Sequence, residues 1–317
     1  MADSVKKIAL IGAGYMGQEY AKALRRSSEM RLVGIMSKGG VNAQRIAHEQ
    51  GIPLVAVTVD ELYERTQADG VIVAVPELEA PAVIRSVLEY PWAALVEKPP
   101  GYTPEVARSL LHDAQQKERK VFVALNRRFY AGTAAVLEAL PDHPGERTVI
   151  IQDQEDQCAA LEAGFPREVV DRLMYANSIH LIDYALLFCR GAIQDVIRIS
   201  PLRAYEPCVV QSMVTFSSGD KAIYLGVWQQ PGPWSVQVCT PSARFEMRPI
   251  EQGGIQKAGQ RQLELFPPDE RDSWCKPGIF MLVEEFGKAL RNESHRLPYF
   301  DEGVALMQLI EELFTAR

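Results

Sequence analysis

The chain has no apolar stretch near the roughly twenty residues needed to cross a bilayer, and no long block of like charge. The first absence argues against a membrane-spanning protein. The second, with a net charge of −7 from 34 basic and 41 acidic residues, argues against nucleic acid as the main partner. Cysteine is sparse: Cys158, Cys189, Cys208, Cys239 and Cys275 lie far apart, with no C-x-x-C pair and no histidine at zinc-ligand spacing. Neither a disulfide scaffold nor a zinc module is expected, and a reduced, cytoplasmic compartment is. Lys6 and Lys7 precede an apolar run as in a signal peptide, but the run stops after four residues at a glycine turn. No internal repeat or low-complexity tract is present. Asp153, Glu155 and Asp156 form an acidic cluster without histidine partners, which reads as a solvated loop, so no metal is expected.

What is present fits a soluble globular protein, with 47% hydrophobic and 24% charged residues over 317 positions, long enough for two domains. Ile8-Ala9-Leu10-Ile11 suits a strand buried on both faces, and Gly12, Gly14 and Gly17 follow in G-x-G-x-x-G spacing, with Tyr15 and Met16 between the last two. Helical periodicity from Glu19 to Arg26 comes next, so the glycines occupy a strand-to-helix turn. Gly12 permits the tight turn, Gly14 lets backbone approach a pyrophosphate, and Gly17 lets helix and strand pack closely. The helix N-terminus offers free N–H groups to the same anion.

The alternation continues through Arg31–Met36, Gly70–Val75, Ala93–Val96 and Val121–Leu125, apolar runs separated by helical segments. This rhythm predicts a parallel, doubly wound sheet. The second strand ends in Ser37-Lys38, where many NAD sites carry an acid. A hydroxyl and a cation suit a 2′-phosphate, so NADP is preferred over NAD. Glu97-Lys98-Pro99-Pro100 closes the Ala93–Val96 strand, at the edge where such sheets bind ligands. In the second half, Val149–Gln154, Val209–Phe216, Lys221–Gln229, Ser235–Thr240 and Ala243–Arg248 predict an open, mostly antiparallel sheet, covered by helices at Met281–Leu290 and Val304–Phe314. An open sheet of this apolar character requires a cover, and a homodimer or homotetramer is expected.

The G-x-G-x-x-G, Glu97-Lys98-Pro99, Asn126-Arg127-Arg128-Phe129, His180-Leu181-Ile182-Asp183 and the Phe286, Pro298 and Asp301 positions together resemble the Gfo/Idh/MocA oxidoreductase family. The resemblance covers nearly the whole chain. It implies a Rossmann domain over 1–125 and an α/β domain over 126–317 for substrate and oligomerisation. It also implies hydride transfer between nicotinamide and a hydroxyl or carbonyl carbon of a sugar, amino sugar or nucleotide sugar.

On this footing Lys98 and His180 are the expected catalytic residues, the Lys98–Pro99 bond is expected cis, and Glu97, Lys98, Val75 and Pro76 are expected at the cofactor with the glycine turn, Ser37 and Lys38. A cation at Lys98 stabilises a developing alkoxide, and an imidazole at His180 takes or gives a proton near neutral pH. Asn177, Asp183 and Tyr184, at i−3, i+3 and i+4 of His180, and Arg127 are the expected substrate residues. Of the pair Arg127 and Arg128, one is expected to be structural. Two positions depart from the family pattern: Ala176 stands where a relay acid precedes the histidine by four residues, and Glu77 stands where an Asn is common. The departures leave two alternatives open, a reductase of a non-sugar C=N or C=O substrate and a non-catalytic NADP-binding regulator.

Overall fold

The computed structural model describes residues 5–315, which form two units. The first runs to Asn126 and takes in Glu270–Val304; the second comprises Arg127–Asp269 and the chain from Ala305 onward.

The first unit begins with β1 (Lys6–Ile11), α1 (Tyr15–Arg26), β2 (Met30–Met36), α2 (Val41–Gln50), β3 (Val55–Ala56) and α3 (Val59–Thr66). It continues with β4 (Gly70–Val73), α4 (Ala80–Leu88), β5 (Ala93–Glu97), α5 (Pro104–Gln116) and β6 (Val121–Ala124). All six strands pair in parallel in the order β3-β2-β1-β4-β5-β6. Ile8, Leu10, Ile72, Leu95 and Val123 are fully buried, as a sheet covered on both faces demands. α3 and α5 start on Thr58 and Thr103, whose hydroxyls accept from Glu61 N and Val106 N at 3.1 and 3.3 Å.

In the second unit α6 (Ala131–Ala139), β7 (Thr148–Glu155), α7 (Gln157–Glu162), α8 (Arg167–Val170) and α9 (Ile179–Phe188) precede the strands β8 (Ile193–Ser200), β9 (Cys208–Phe216) and β10 (Lys221–Trp228). β11 (Ser235–Cys239), β12 (Ala243–Met247), β13 (Gly253–Lys257) and β14 (Glu264–Leu265) complete the sheet. Its order is β14-β13-β12-β11-β7-β10-β9-β8, antiparallel at every pair except β7 with β10. Burial alternates strictly along β7, β9 and β10. Val149, Ile151, Tyr224, Trp228, Val236 and Phe245 form the inner face, while Ile150, Ile223, Leu225 and Val227 on the other side are half-buried. The strands β8, β13 and β14 and the helix α6 were not legible in the sequence. β8 is an edge strand whose residues are all exposed or half-buried, so no buried apolar face marks it.

The chain then returns to the first unit with α10 (Ile279–Leu290), and α11 (Phe300–Phe314) follows. Phe286 of α10 is fully buried, with its Cζ 2.9 Å from where a Cβ on Gly70 would lie, and Pro298 O accepts from Val123 N at 3.0 Å, covering the outer edge of β6. The remainder of α11 closes the second unit: Phe314 packs on Tyr224 and Trp228 with ring centroids 5.7 and 5.6 Å apart.

One buried carboxylate stabilises the second unit. Asp220, with no exposed side-chain surface, accepts from Arg190 Nε, Arg190 Nη2, Arg190 N and Arg147 N at 2.7–2.9 Å. Burial alone would raise its pKa, but the Arg190 and backbone hydrogen bonds outweigh it and hold the carboxyl below the usual range. A depressed folded pKa means the stabilisation is complete above about pH 4 and is lost as pH falls through the folded value. Asp220→Ala is expected to cost about 2–4 kcal/mol at neutral pH and to flatten the acid limb of stability, read by urea titration between about pH 2 and 7.

Candidate functional site

In the first unit the glycine turn joins β1 to α1 at the carboxyl edge of the sheet. Gly12 holds φ +113°, and a Cβ there would lie 2.0 Å from Ala74 O; a Cβ on Gly17 would lie 2.2 Å from Gly12 O. Both glycines are therefore required by packing alone. Gly14 differs: it is exposed, and a Cβ on it meets nothing within 4 Å. α1 has no side-chain cap and no acid in its first turn. Its leading N–H groups and positive dipole end are thus available to an anion beside Gly14. These features fit a dinucleotide pyrophosphate.

Tyr15 is exposed and Met16 half-buried at this turn. The structure adds a residue that sequence reading missed. Lys276, donating its N–H to Glu19 Oε2 at 2.5 Å, brings its ammonium 3.6 Å from Met16 Sδ and 5.7 Å from the centre of the Tyr15 ring. No sequence signal could have found it, because 260 residues separate it from Met16.

At the end of β2, Ser37 Oγ is buried without a hydrogen-bond partner among the described residues, and Lys38 projects into solvent. Lys38 Nζ lies 3.6 Å from Glu79 Oε1, at the start of α4. The sequence has no acid beside Ser37, yet the fold brings one from α4. Val75 is half-buried and Pro76 exposed in the turn after β4, where Pro76 O accepts from Glu79 N and Ala80 N at 2.9 and 3.0 Å.

Glu97 and Lys98 close β5. Tyr20, fully buried, donates to Glu97 Oε1 at 2.6 Å. Burial raises the Glu97 pKa, and the neighbouring Lys98 charge pulls it back. The Lys98–Pro99 peptide is cis, as the family resemblance implied, and Lys98 itself is half-buried. Asn126, just past β6, is buried and donates to Pro277 O at 3.0 Å, so it fastens the returning segment.

In the second unit His180 lies in the first turn of α9 and is 4% exposed. A π-type turn, Met174–Ser178, leads into this helix and carries Ala176 and Asn177; such turns often mark functional positions. Asn177 Nδ2 donates to Glu155 Oε2 at 3.1 Å, and Ser178 Oγ lies 3.5 Å from Glu155 Oε1. Glu155 and Asp153 do not form the solvated loop expected of them. They occupy alternate inward positions of β7 and are buried, while Asp156 caps α7 by accepting from Ala159 N at 2.9 Å. The error was one of period: two acids at i and i+2 on a strand share one face. Tyr224 donates to Asp153 Oδ2 at 2.7 Å, and Asp153 Oδ1 is buried without a partner among the described residues. Burial drives the Asp153 pKa up against the Ser178 and Tyr224 hydrogen bonds and the Arg127 charge.

Two expected substrate residues, Asp183 and Tyr184, are held by partners within the second unit. Both oxygens of Asp183 accept from Arg128, at 2.7 and 2.6 Å, so this buried carboxylate ties α9 to Arg128 of the turn before α6. Tyr184 is 1% exposed, stacks on Phe188, donates to Arg127 O at 3.1 Å and lies 2.9 Å from Thr133 Oγ1. It is a core residue, and burial raises its pKa further. Arg127 is the uncommitted member of its pair. Its guanidinium lies 4.8 Å over the Trp234 ring, and Nε and Nη1 have no hydrogen-bond partner among the described residues.

Residues 6–125 match the profile of an oxidoreductase family with an NAD-binding Rossmann fold, GFO_IDH_MocA. Inositol 2-dehydrogenase of Rhizobium meliloti (strain 1021) is 28% identical over 136 residues, which are 43% of this chain and 41% of that protein. A dehydrogenase from Chromobacterium violaceum superposes with a TM-score of 0.84 at 22% identity, over 98% of this chain and 94% of that one. UDP-N-acetylglucosamine 3-dehydrogenase from Acidithiobacillus ferrooxidans does so with a TM-score of 0.77 at 16% identity, over 97% and 95%. At these identities the superpositions speak for the fold.

Proposed function

We propose that this chain, whose residues 6–125 match the profile of the GFO_IDH_MocA oxidoreductases, is an NAD(P)-dependent dehydrogenase acting on a sugar, amino sugar or nucleotide sugar. The observation that carries the reading is the glycine turn: Gly12 and Gly17 are closed by backbone, Gly14 is open, and α1 begins uncapped beside it. A dinucleotide whose pyrophosphate is held at that turn would supply the nicotinamide that takes or gives the hydride of a carbinol carbon. NADP, or NAD, is the cofactor, with the Lys38 cation as partner of a 2′-phosphate and Ser37, Val75, Pro76 and Glu97 around the same edge. Lys98 holds the reacting oxygen and stabilises its negative charge, and His180 exchanges the proton. Asn177 and Arg127 contact the remaining hydroxyl or charged groups. The names of the inositol and amino-sugar relatives support the substrate class. The half-buried Ile150, Ile223, Leu225 and Val227 support a homodimer or homotetramer through that sheet face.

The test is nicotinamide absorbance with purified protein and a panel of sugars, inositols, uronic acids and nucleotide sugars, beside His180→Ala. Turnover of one class, with kcat lowered at least about a hundredfold in the variant, is the expected result. Tight dinucleotide binding without turnover across the panel favours a regulator; turnover untouched in His180→Ala removes that residue from the chemistry.

A further inference from the structure

The sheet order places β1, with its glycine turn, between β2 and β4. Lys38 follows β2 and Glu79 follows β4, so the two side chains reach from either side of that turn and meet with Nζ 3.6 Å from Oε1. Both are well exposed, 88% and 47%, so their pairing adds little to folding. In a sheet of this order the adenosine ribose of a dinucleotide lies past the end of β2, where an acid commonly accepts the 2′-hydroxyl. Here that strand ends in Ser37, and the carboxylate near Lys38 comes from elsewhere in the fold.

We propose that Glu79 supplies, from the start of α4, the acid absent from the end of β2, and that Glu79 and Lys38 together set the choice between NAD and NADP. This rests on the dinucleotide reading above. A 2′-hydroxyl satisfies both groups, donating to the carboxylate and accepting from the ammonium. A 2′-phosphate is drawn by Lys38 but must take it from Glu79 and then face the carboxylate across a few ångströms of solvent. The two side chains therefore pull in opposite directions, and both dinucleotides bind. Lys38 alone suggests an NADP enzyme; the pair makes a dual one whose ratio Glu79 controls.

Calorimetric titration of NAD+ and NADP+ into wild type, Glu79→Gln, Glu79→Ala and Lys38→Ala tests this without any substrate. Glu79→Gln is expected to tighten NADP+ about five- to tenfold and to weaken NAD+ by no more than about threefold, with unchanged thermal unfolding. In about 1 M salt, where the Debye length is about 3 Å, the NADP+ gain should largely vanish. Lys38→Ala should loosen NADP+ by a similar factor and leave NAD+ within about twofold. Unchanged Kd ratios in both Glu79 variants, with both dinucleotides bound by wild type, overturn the proposal. Binding of neither dinucleotide to wild type overturns the dinucleotide reading, and the selector with it.

Discussion

Lys98→Met is expected to lower kcat by about a thousandfold or more while dinucleotide affinity changes by less than about threefold. Methionine keeps the length and apolar stem of lysine and removes only the ammonium. The lost step is stabilisation of oxyanion character on the substrate oxygen as hydride departs, an interaction made most strongly in the transition state. Such a change lowers kcat and kcat/KM together. Fold should be intact, because Lys98 is half-buried at a strand end and Glu97 keeps its bond from Tyr20. Steady-state kinetics beside a cofactor titration decides the matter. Weakened dinucleotide binding with normal kcat would make Lys98 a cofactor ligand instead. Unchanged kinetics would remove it from the site.

Gly12→Ala and Gly14→Ala should fail in different ways. At Gly12 the new Cβ would lie 2.0 Å from Ala74 O in a residue at φ +113°, so β1 and the turn after β4 must separate. A loss of about 3 kcal/mol or more is expected, seen as poor soluble yield and a melting temperature lowered by several degrees. At Gly14 the same methyl meets nothing, and the unliganded protein should melt within about 2 °C of wild type. Its dinucleotide affinity should fall about tenfold or more, since the methyl occupies the space through which the pyrophosphate approaches α1. Equal melting temperatures for the two variants would contradict the turn geometry. Undiminished binding by Gly14→Ala would place the pyrophosphate elsewhere.

Several parts of this molecule were legible before any coordinates. The parallel sheet was readable because strands buried on both faces are continuous apolar runs, and the glycine turn because each glycine answers a distinct geometric demand. Lys98 and His180 were named from motif context; Lys98 follows β5, and His180 lies in the first turn of α9, the fourth helix of the second unit. Side-chain partners were less readable. Asp183 and Tyr184 share a helical face with His180, but spacing along a helix does not say what the face packs on, and Arg128 and Thr133 claim them. Asp153 and Glu155 were misread because two acids on an apolar strand look like a loop until the opposite strands supply Tyr224 and the α9 approach supplies Asn177 and Ser178.

The sequence by itself determined the dinucleotide-binding half, because period, glycine spacing and strand-end chemistry are local properties that a short window contains. Only the tertiary structure decided which charges meet. It brought Lys276 to Tyr15, Glu79 to Lys38 and the segment after Glu270 back to β6. Those pairings join residues tens to hundreds of positions apart, and electrostatic and hydrogen-bonding partners act through distances of a few ångströms that chain order does not encode.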